Sequence, residues 1–588
     1  MKSLIDLLQS VLEESGTQCG ISTDLDSKTI QARFEHEGLS FLTITLPQFG
    51  KDLQRALTEQ KVSSSHFVGF PRRGQIPVFL SGFLAQVFDP MSGDLLNEYN
   101  LEAIRAVLQV TGLLSKVELE CTDKRIQAAF DKYVETENEV RDSDKMISKE
   151  MLRDFISWTH LIFGDLLRNV QLDIQGGNLM PNHGPGAVAD RLVGNDKWNQ
   201  AAWPDRLEAV FPFGRYAYSS WSLYLDDFDS GGRPSLPGTE LPTRVIAVPK
   251  TMKTPRIIAI EPAYMQYIQQ GIHRLFVRHI RIAKFGALVN YESQLPNQEM
   301  ARIGSYNGSI ATLDLSEASD RVSNQLVRAL LRDFPVLYEA VDACRSRSAD
   351  VPGHGVIRLA KFASMGSALC FPIESLVFLV ITMMGYYKGT KEDPELDTPQ
   401  NRLKFLNYFG REVRTYGDDI IVPSRYAQAV SDELESFGLR VNRHKSFWTG
   451  KFRESCGKEY FAGDDVTIVK CRAELPSKQQ PSSELVHSIV STSSLRNLLF
   501  EYGYWRTCKQ LDTLLEGFIP YPAVGPDSPA LGRLSSLGYQ SERWDADLQV
   551  PLVRAVAVKA KSPVSILNGP GALMKYFAKD SELPNPDA

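Results

Sequence analysis

Leu4, Leu7, Leu8, Val11 and Leu12 recur at the spacing of one helix face with polar and acidic residues between them. The chain is therefore predicted to open on an amphipathic helix and not on the unbroken apolar core of a signal peptide. Up to about residue 110, short apolar runs alternate with turn residues, as in LSFLTITLPQFG, a pattern that predicts mixed α/β structure. From about 120 to 170 the pattern turns helical and charged, with Phe130, Tyr133, Val140, Leu152, Phe155 and Ile156 as inward positions. Residues 176–238 are polar and rich in glycine and proline, with HGPGAV at 183–188. GPGA recurs at 569–572 without further similarity, so no internal repeat is present. The charged, proline-containing segment 388–402 reads as a loop, and the chain after 578 as a frayed polar tail.

The middle of the chain carries sharper patterns. In RVIAVPKTMKTPRIIAIEP two apolar runs bracket Lys250, Lys253 and Arg256, predicting a β-hairpin with cations at its tip. GSIATLDLSEASDRVS predicts a strand that ends at Asp314, with Asp320 near the start of a helix carrying Val322, Leu326 and Leu330. In ASMGSALCFPIESLVFLV a small-residue loop, Ser364 to Ser367, opens into an apolar helix, letting the backbone and the Ser364 hydroxyl come close to a ligand. RTYGDDIIVPS reads as a hairpin whose tight turn displays Asp418 and Asp419. A helix over 426–437, with Val430, Leu434 and Phe437 inward and Gly438 as its cap, precedes VNRHKSFW, which returns Lys445 to the sheet.

At 588 residues the chain is too long for one core, and two to four lobes are expected. With 43% hydrophobic and 23% charged residues it has the balance of a folded, soluble protein. The net charge of −6 excludes a general polycation, yet Leu241 to Lys284 holds eight Lys or Arg against one Glu. A basic strip on an acidic protein suits a polyanion. Seven cysteines without a CxxC pair argue against a zinc ribbon or a disulfide framework and fit a reducing cytoplasm. The longest apolar run, 376–387, is short for a bilayer, so membrane insertion is not expected.

Adjacent acids at a hairpin tip repel one another unless a cation sits there. Hard divalent ions take oxygen ligands, so Asp314 is the natural third carboxylate for a metal site with Asp418 and Asp419. Lys445 beside them could protonate a leaving group, and Lys250, Lys253 and Arg256 suit triphosphate oxygens.

In order, a basic hairpin, a strand-end Asp, a Ser-Gly loop with its helix, a Gly-Asp-Asp hairpin, and a helix with lysine resemble motifs F, A, B, C and D of viral RNA-directed RNA polymerases. VPKTMKTPRIIAIEP, QLPNQ at 294–298, ATLDLSEASD, SMG…ES, YGDDIIVPS and GKFRESCGKEYFAGDDVT are similar to the replicase catalytic (β) subunits of the levivirus family of positive-strand RNA bacteriophages. The similarity is confined to about 180–475. It implies an α+β right-hand fold with fingers, palm and thumb, the palm being an antiparallel sheet flanked by helices. The expected division is an N-terminal segment 1–110, fingers 111–300, palm 301–470 with a fingers insertion at about 336–362, and thumb with tail 471–588.

The resemblance also implies roles. Asp314, Asp418 and Asp419 would hold two Mg²⁺ (or Mn²⁺) ions, and Lys445 would be the general acid. Lys250, Lys253 and Arg256 would grip the triphosphate. Asp320 and Ser364 would read the ribose 2′-hydroxyl, with Gly366 in the same nucleotide-binding loop, and Arg453 in FRESCG would touch the nascent strand. Partners would be RNA, ribonucleoside triphosphates, host elongation factors Tu and Ts and a small-subunit ribosomal protein, in the cytoplasm of an infected bacterium, with primer-independent initiation. Two positions depart from the family pattern: Cys370 replaces the usual Thr, and Pro372 enters the following helix. The rivals are a reverse transcriptase and a non-catalytic RNA-binding protein of the same fold. Ser319, where reverse transcriptases carry an aromatic gate, favours ribonucleotides over the first, and retention of all three acids disfavours the second.

Overall fold

A computed structural model describes residues 2–580 except 201, 219, 230–239, 290, 391–397, 560–564 and 566; part of the loop expected at 388–402 and the end of the tail lie outside the described residues. Leu4, Leu7, Leu8, Val11 and Leu12 form the buried face of helix α1 (Lys2–Cys19), as predicted. The mixed α/β expectation for the first 110 residues is not met. That region is helical, with α2 (Asp24–Glu37), α3 (Leu46–Glu59) and α4 (Leu101–Gly112) and only two-residue strands between them. LSFLTITLPQFG forms a π-helical turn, Phe41–Thr45, that runs into α3. Phe41, Leu42, Leu46 and Phe49 are all fully buried, so this apolar run reflects burial on every side and not the alternation of a half-exposed strand. Pro47, which has no N–H to donate, sits where the π-helical bonding pattern gives way to the α-helical one in a continuous helical run.

The N-terminal helices share one core with Phe447, Phe452, Phe461, Leu495, Leu499 and Leu511. The Glu14 carboxylate accepts from the backbone N–H groups of Arg506 (2.8 Å) and Thr507 (2.9 Å), capping the helix Trp505–Glu516 with a residue nearly 500 positions away.

Two long helices follow, α5 (Asp123–Met146) and α6 (Lys149–Gln175). Phe130, Tyr133, Val140 and Phe155 are buried as expected, and Leu152 and Ile156 are half-buried. Strands β1 (Thr243–Val248) and β2 (Arg256–Ile260) pair antiparallel with Val248 opposite Arg256, leaving 249–255 as the loop. β1 also pairs in parallel with β4 (Ser348–Val351), which turns back into β5 (Gly355–Arg358), giving the sheet order β2-β1-β4-β5.

The second sheet has β3 (Ile310–Leu313), β6 (Arg414–Tyr416) and β7 (Asp419–Pro423), all antiparallel, in the order β3-β7-β6. Behind it run α7 (Cys370–Thr390) and α8 (Ala427–Ser436), packed on each other. Helix α7 is apolar and long enough to span a bilayer, but 94% of its most apolar window is buried inside the protein. Its first residue is Cys370, so Pro372 lies in the first turn, where the helix tolerates it. Val430, Leu434 and Phe437 point inward, and Gly438 ends the α8 segment at φ +82°.

Candidate active site

The central sheet ends in acids because its strands end there. Asp314 follows β3, and Asp418 sits in the two-residue turn between β6 and β7, whose register pairs Tyr416 with Asp419. Gly417 occupies the other turn position at φ +58°, and a Cβ there would meet the Phe371 ring at 2.6 Å. Backbone and packing thus both require glycine before the acids.

Residues 441–447 return alongside β3, with Phe447 and Thr312 exchanging backbone hydrogen bonds of 2.9 and 2.7 Å. This places Lys445 Nζ 3.2 Å from Asp314 Oδ1 and Asn442 Nδ2 2.9 Å from Asp314 Oδ2. Beside them lies a cavity of about 690 Å³ whose walls include Asp314, Asp418 and Lys445 together with Lys250 and Lys253 from the β1–β2 loop and Arg256 from the start of β2. The predicted hairpin with a cationic tip is therefore present and faces the acids.

Burial, followed by the charge of Asp314, raises the Asp418 pKa, while Lys445 and Lys250 pull the other way. Burial and Asp418 push Asp419 up to about 7, against a hydrogen bond from the Cys456 backbone N–H. Asp419 does not line the cavity; it faces the Cys456 turn. Among the described residues no three His, Cys, Asp or Glu side chains converge closely enough to hold a metal by themselves. Asp314 and Asp418 still fit a hard cation. Mg²⁺ is commonly held by one or two carboxylates, with phosphate oxygens and water filling the other positions, and a divalent charge relieves the repulsion that raises Asp418.

The ribose-reading pair is only half assembled. Asp320, in the one-turn helix Ala318–Arg321, lines the cavity, where its Oδ1 accepts from Lys361 Nζ at 3.0 Å. Lys361 is fully buried, 3.4 Å from the Tyr133 ring centroid. Ser364 is buried away from the cavity, its hydroxyl 2.9 Å from Tyr133 Oη. Gly366, expected to let a ligand approach, instead lets the chain approach β2. At φ +131° its Cβ would fall 2.0 Å from the Ala259 carbonyl oxygen, and Ala259 N–H donates to Met365 O at 2.9 Å.

Arg453 is a correction. It is completely buried, and its guanidinium donates to the carbonyl oxygens of Ile310 (2.5 Å), Thr449 (3.0 Å), Gly450 (3.2 Å) and Phe452 (2.7 Å). It clamps β3 to the hairpin Phe452–Ser455 and Lys458–Phe461 and offers nothing to RNA.

Sequence reasoning missed Glu374, which lines the cavity from α7, bonds to Ser319 and accepts from the Cys370 thiol at 3.6 Å. Burial raises its pKa to about 7. An acid inside an otherwise apolar helix was the available signal. Lys361, Tyr133 and Asn442 gave none.

Acids at a strand end and a hairpin tip of a β3-β7-β6 sheet, backed by helices and faced by a basic hairpin from a separate sheet, define the class: an α+β right-hand polymerase fold with its palm centred on Asp314 and Asp418. Residues 239–390 and 402–481 match the family model described as RNA replicase, β-chain. The RNA-directed RNA polymerase subunit β of Enterobacteria phage SP is 31% identical over 368 residues, 59% of this chain and 58% of that one. That of Escherichia virus Qbeta is 34% identical over 264 residues (45% and 38%), and the RNA-directed RNA polymerase β chain of Escherichia phage MS2 is 37% identical over 222 residues (38% and 36%). The chain thus covers less than two thirds of the length of each of these relatives. A solved in situ structure of the BmCPV RNA-dependent RNA polymerase at elongation state aligns at TM-score 0.41 and 11% identity, covering 86% of this chain and 48% of that one. Over residues 239–390 and 402–481 the chain is similar to the RNA replicase β-chains.

Proposed function

We propose that this chain copies RNA, transferring nucleotidyl groups from ribonucleoside triphosphates to an RNA 3′-hydroxyl in the replication of a viral genome. The observation that carries the reading is the single cavity in which Asp314 and Asp418 face Lys250, Lys253 and Arg256. Two Mg²⁺ ions, or Mn²⁺, held by Asp314 and Asp418 with Asp419 behind them, would activate the 3′-hydroxyl and neutralise charge on the leaving pyrophosphate. Lys250, Lys253 and Arg256 hold the triphosphate by charge-assisted hydrogen bonds. Lys445 Nζ carries the proton that the leaving pyrophosphate takes up. Asp320, fixed by Lys361, accepts from a ribose hydroxyl, and the small Ser319 leaves room for it. By likeness to the phage replicases, the working enzyme operates in the cytoplasm of an infected bacterium with elongation factors Tu and Ts and a small-subunit ribosomal protein.

The test is incorporation of labelled ribonucleotide and deoxyribonucleotide on a C-ended RNA template with Mg²⁺, for the wild type and Asp418→Asn, with and without those host factors. Ribonucleotide incorporation lost in the variant supports the proposal. Preference for deoxyribonucleotide would indicate a reverse transcriptase, and inactivity with all factors present would indicate an RNA-binding protein.

A further inference from the structure

The HGPGAV segment takes no part in the cavity of Asp314 and Asp418, and its first residues line a second cavity instead. Residues 182–185, the 3₁₀ turn Gly194–Trp198 and the helix Pro570–Asp580 border about 410 Å³, within the range of small-molecule sites. The two cavities share no lining residue. They are linked by the helix Ala263–Ile282, on which the Tyr267 ring stacks against His183 with centroids 5.0 Å apart. Two residues on, Gln269 Oε1 accepts from the Ser367 hydroxyl at 3.0 Å and the Ala368 N–H at 3.1 Å, next to Met365 of the first cavity.

The chemistry of the second cavity is one-sided. Lys197, Lys575 and Lys579 line it, and among the described residues no aspartate or glutamate does. Lys197 is only 6% exposed, and its ammonium donates to the carbonyl oxygens of Gly184 (3.1 Å) and Gly186 (2.5 Å). An ammonium has three donors, so one is left for a ligand. Lys575 and Lys579, four residues apart, share one face of their helix, whose Met574 and Ala578 pack on the main core. Lys575 Nζ donates to Asn195 Oδ1 at 2.9 Å. Among the described residues none of the three lysines pairs with a carboxylate. Desolvation, and then the Lys197 charge, push the His183 pKa down to about 3, so this ring is a neutral wall at pH 7.

A buried ammonium with only carbonyl oxygens for company is costly, and two further cations on the same cavity add to the cost. A ligand with two negative charges and several acceptor oxygens turns each of these interactions favourable. We propose that this cavity binds the phosphate of a nucleotide, free or within an RNA strand, with Lys197 as its buried anchor and Lys575 and Lys579 as its outer contacts. The polymerase reading plays no part in the argument, because the two sites have no residue in common.

The test uses the full chain and three double variants: Lys575→Gln/Lys579→Gln in this cavity, Lys250→Gln/Lys253→Gln in the other, and Lys145→Gln/Lys149→Gln, which removes the same charge from exposed positions. Binding of adenosine 5′-monophosphate and of adenosine is measured by calorimetry without metal, and that of a single-stranded RNA hexamer by fluorescence anisotropy. Lys575→Gln/Lys579→Gln is expected to weaken monophosphate binding about tenfold, with the other two variants within about twofold of wild type and adenosine binding equal in all four proteins. Hexamer affinity that falls with it assigns the phosphate to RNA, and hexamer affinity that stays assigns it to a free nucleotide. Monophosphate binding unchanged in Lys575→Gln/Lys579→Gln, an equal loss in Lys145→Gln/Lys149→Gln, an equal loss for adenosine, or no binding by the wild type would each overturn the proposal.

Discussion

Replacing Lys445 with leucine removes an ammonium held 3.2 Å from Asp314 Oδ1, and its effects on folding and on chemistry should separate. The Lys445 side chain is 45% exposed, and a pair this open contributes about 0–1 kcal/mol to stability. Burial works against its charge, but Asp314, Glu454 and Asp418 outweigh burial and raise its pKa above the ordinary lysine value. A group raised in the fold contributes its stability fully below the unfolded value and loses it only as pH rises through the folded one, far above neutrality. Nζ is therefore charged throughout the working range, and thermal stability of the variant should match the wild type from about pH 6 to 8. Loss of a positioned general acid slows the chemical step by about 10²–10⁴-fold, or about 3–5 kcal/mol of barrier. The assay is single-turnover incorporation of one ribonucleotide by rapid quench, with saturating nucleotide and preformed template–product duplex. Lys445→His should recover part of the rate as pH falls below about 6.5, where imidazole becomes an acid. A leucine variant within about threefold of wild type, or a histidine variant indifferent to pH, would refute the assignment.

The acid pair predicts a metal effect with a definite sign. Asp419 rises from 3.8 to about 7 in the fold, chiefly by burial and then by Asp418, so the metal-free protein should lose stability as pH climbs through that window, and Asp419→Asn should flatten the loss in a thermal-melt series. Added Mg²⁺ should raise the melting temperature more at pH 8 than at pH 6. Asp320→Ala should lower selection of ribo- over deoxyribonucleotide by about tenfold or more, while Ser364→Ala, buried against Tyr133, should change the same competition assay by less than about threefold. Arg453→Met leaves four carbonyl oxygens without their donor and should cost about 1–3 kcal/mol or more in denaturant titrations, with RNA affinity of the folded fraction unchanged.

The acidic floor of the cavity was legible because local chemistry fixes it. A Gly-Asp turn between apolar runs can only be a tight hairpin, and the strand before Asp314 and the cations of the β1–β2 loop follow from similarly short-range patterns. Lys361, 41 residues from Asp320, carries no such pattern, since only the tertiary fold makes it a buried partner. The arginine in FRESCG misled because exposure is invisible in sequence, and a motif position near RNA-facing elements says nothing about which way a guanidinium turns. The first hundred residues misled for a related reason: a stretch buried on all sides loses the half-exposed alternation that separates helix from strand.

The capping of Trp505–Glu516 by Glu14 has a consequence for synthesis. At about 5–20 residues per second, roughly 25–100 s pass between the emergence of α1 and that of the segment it caps. Through that interval α1 can already pack on α4, its larger neighbour, but the part of its surface that meets Trp505–Glu516 stays uncovered, so the nascent chain carries a partly exposed apolar helix while the later segments are still being made. Ribosome-bound chains cut short before residue 505 should therefore hold chaperone at α1, and extension past 516 should release it.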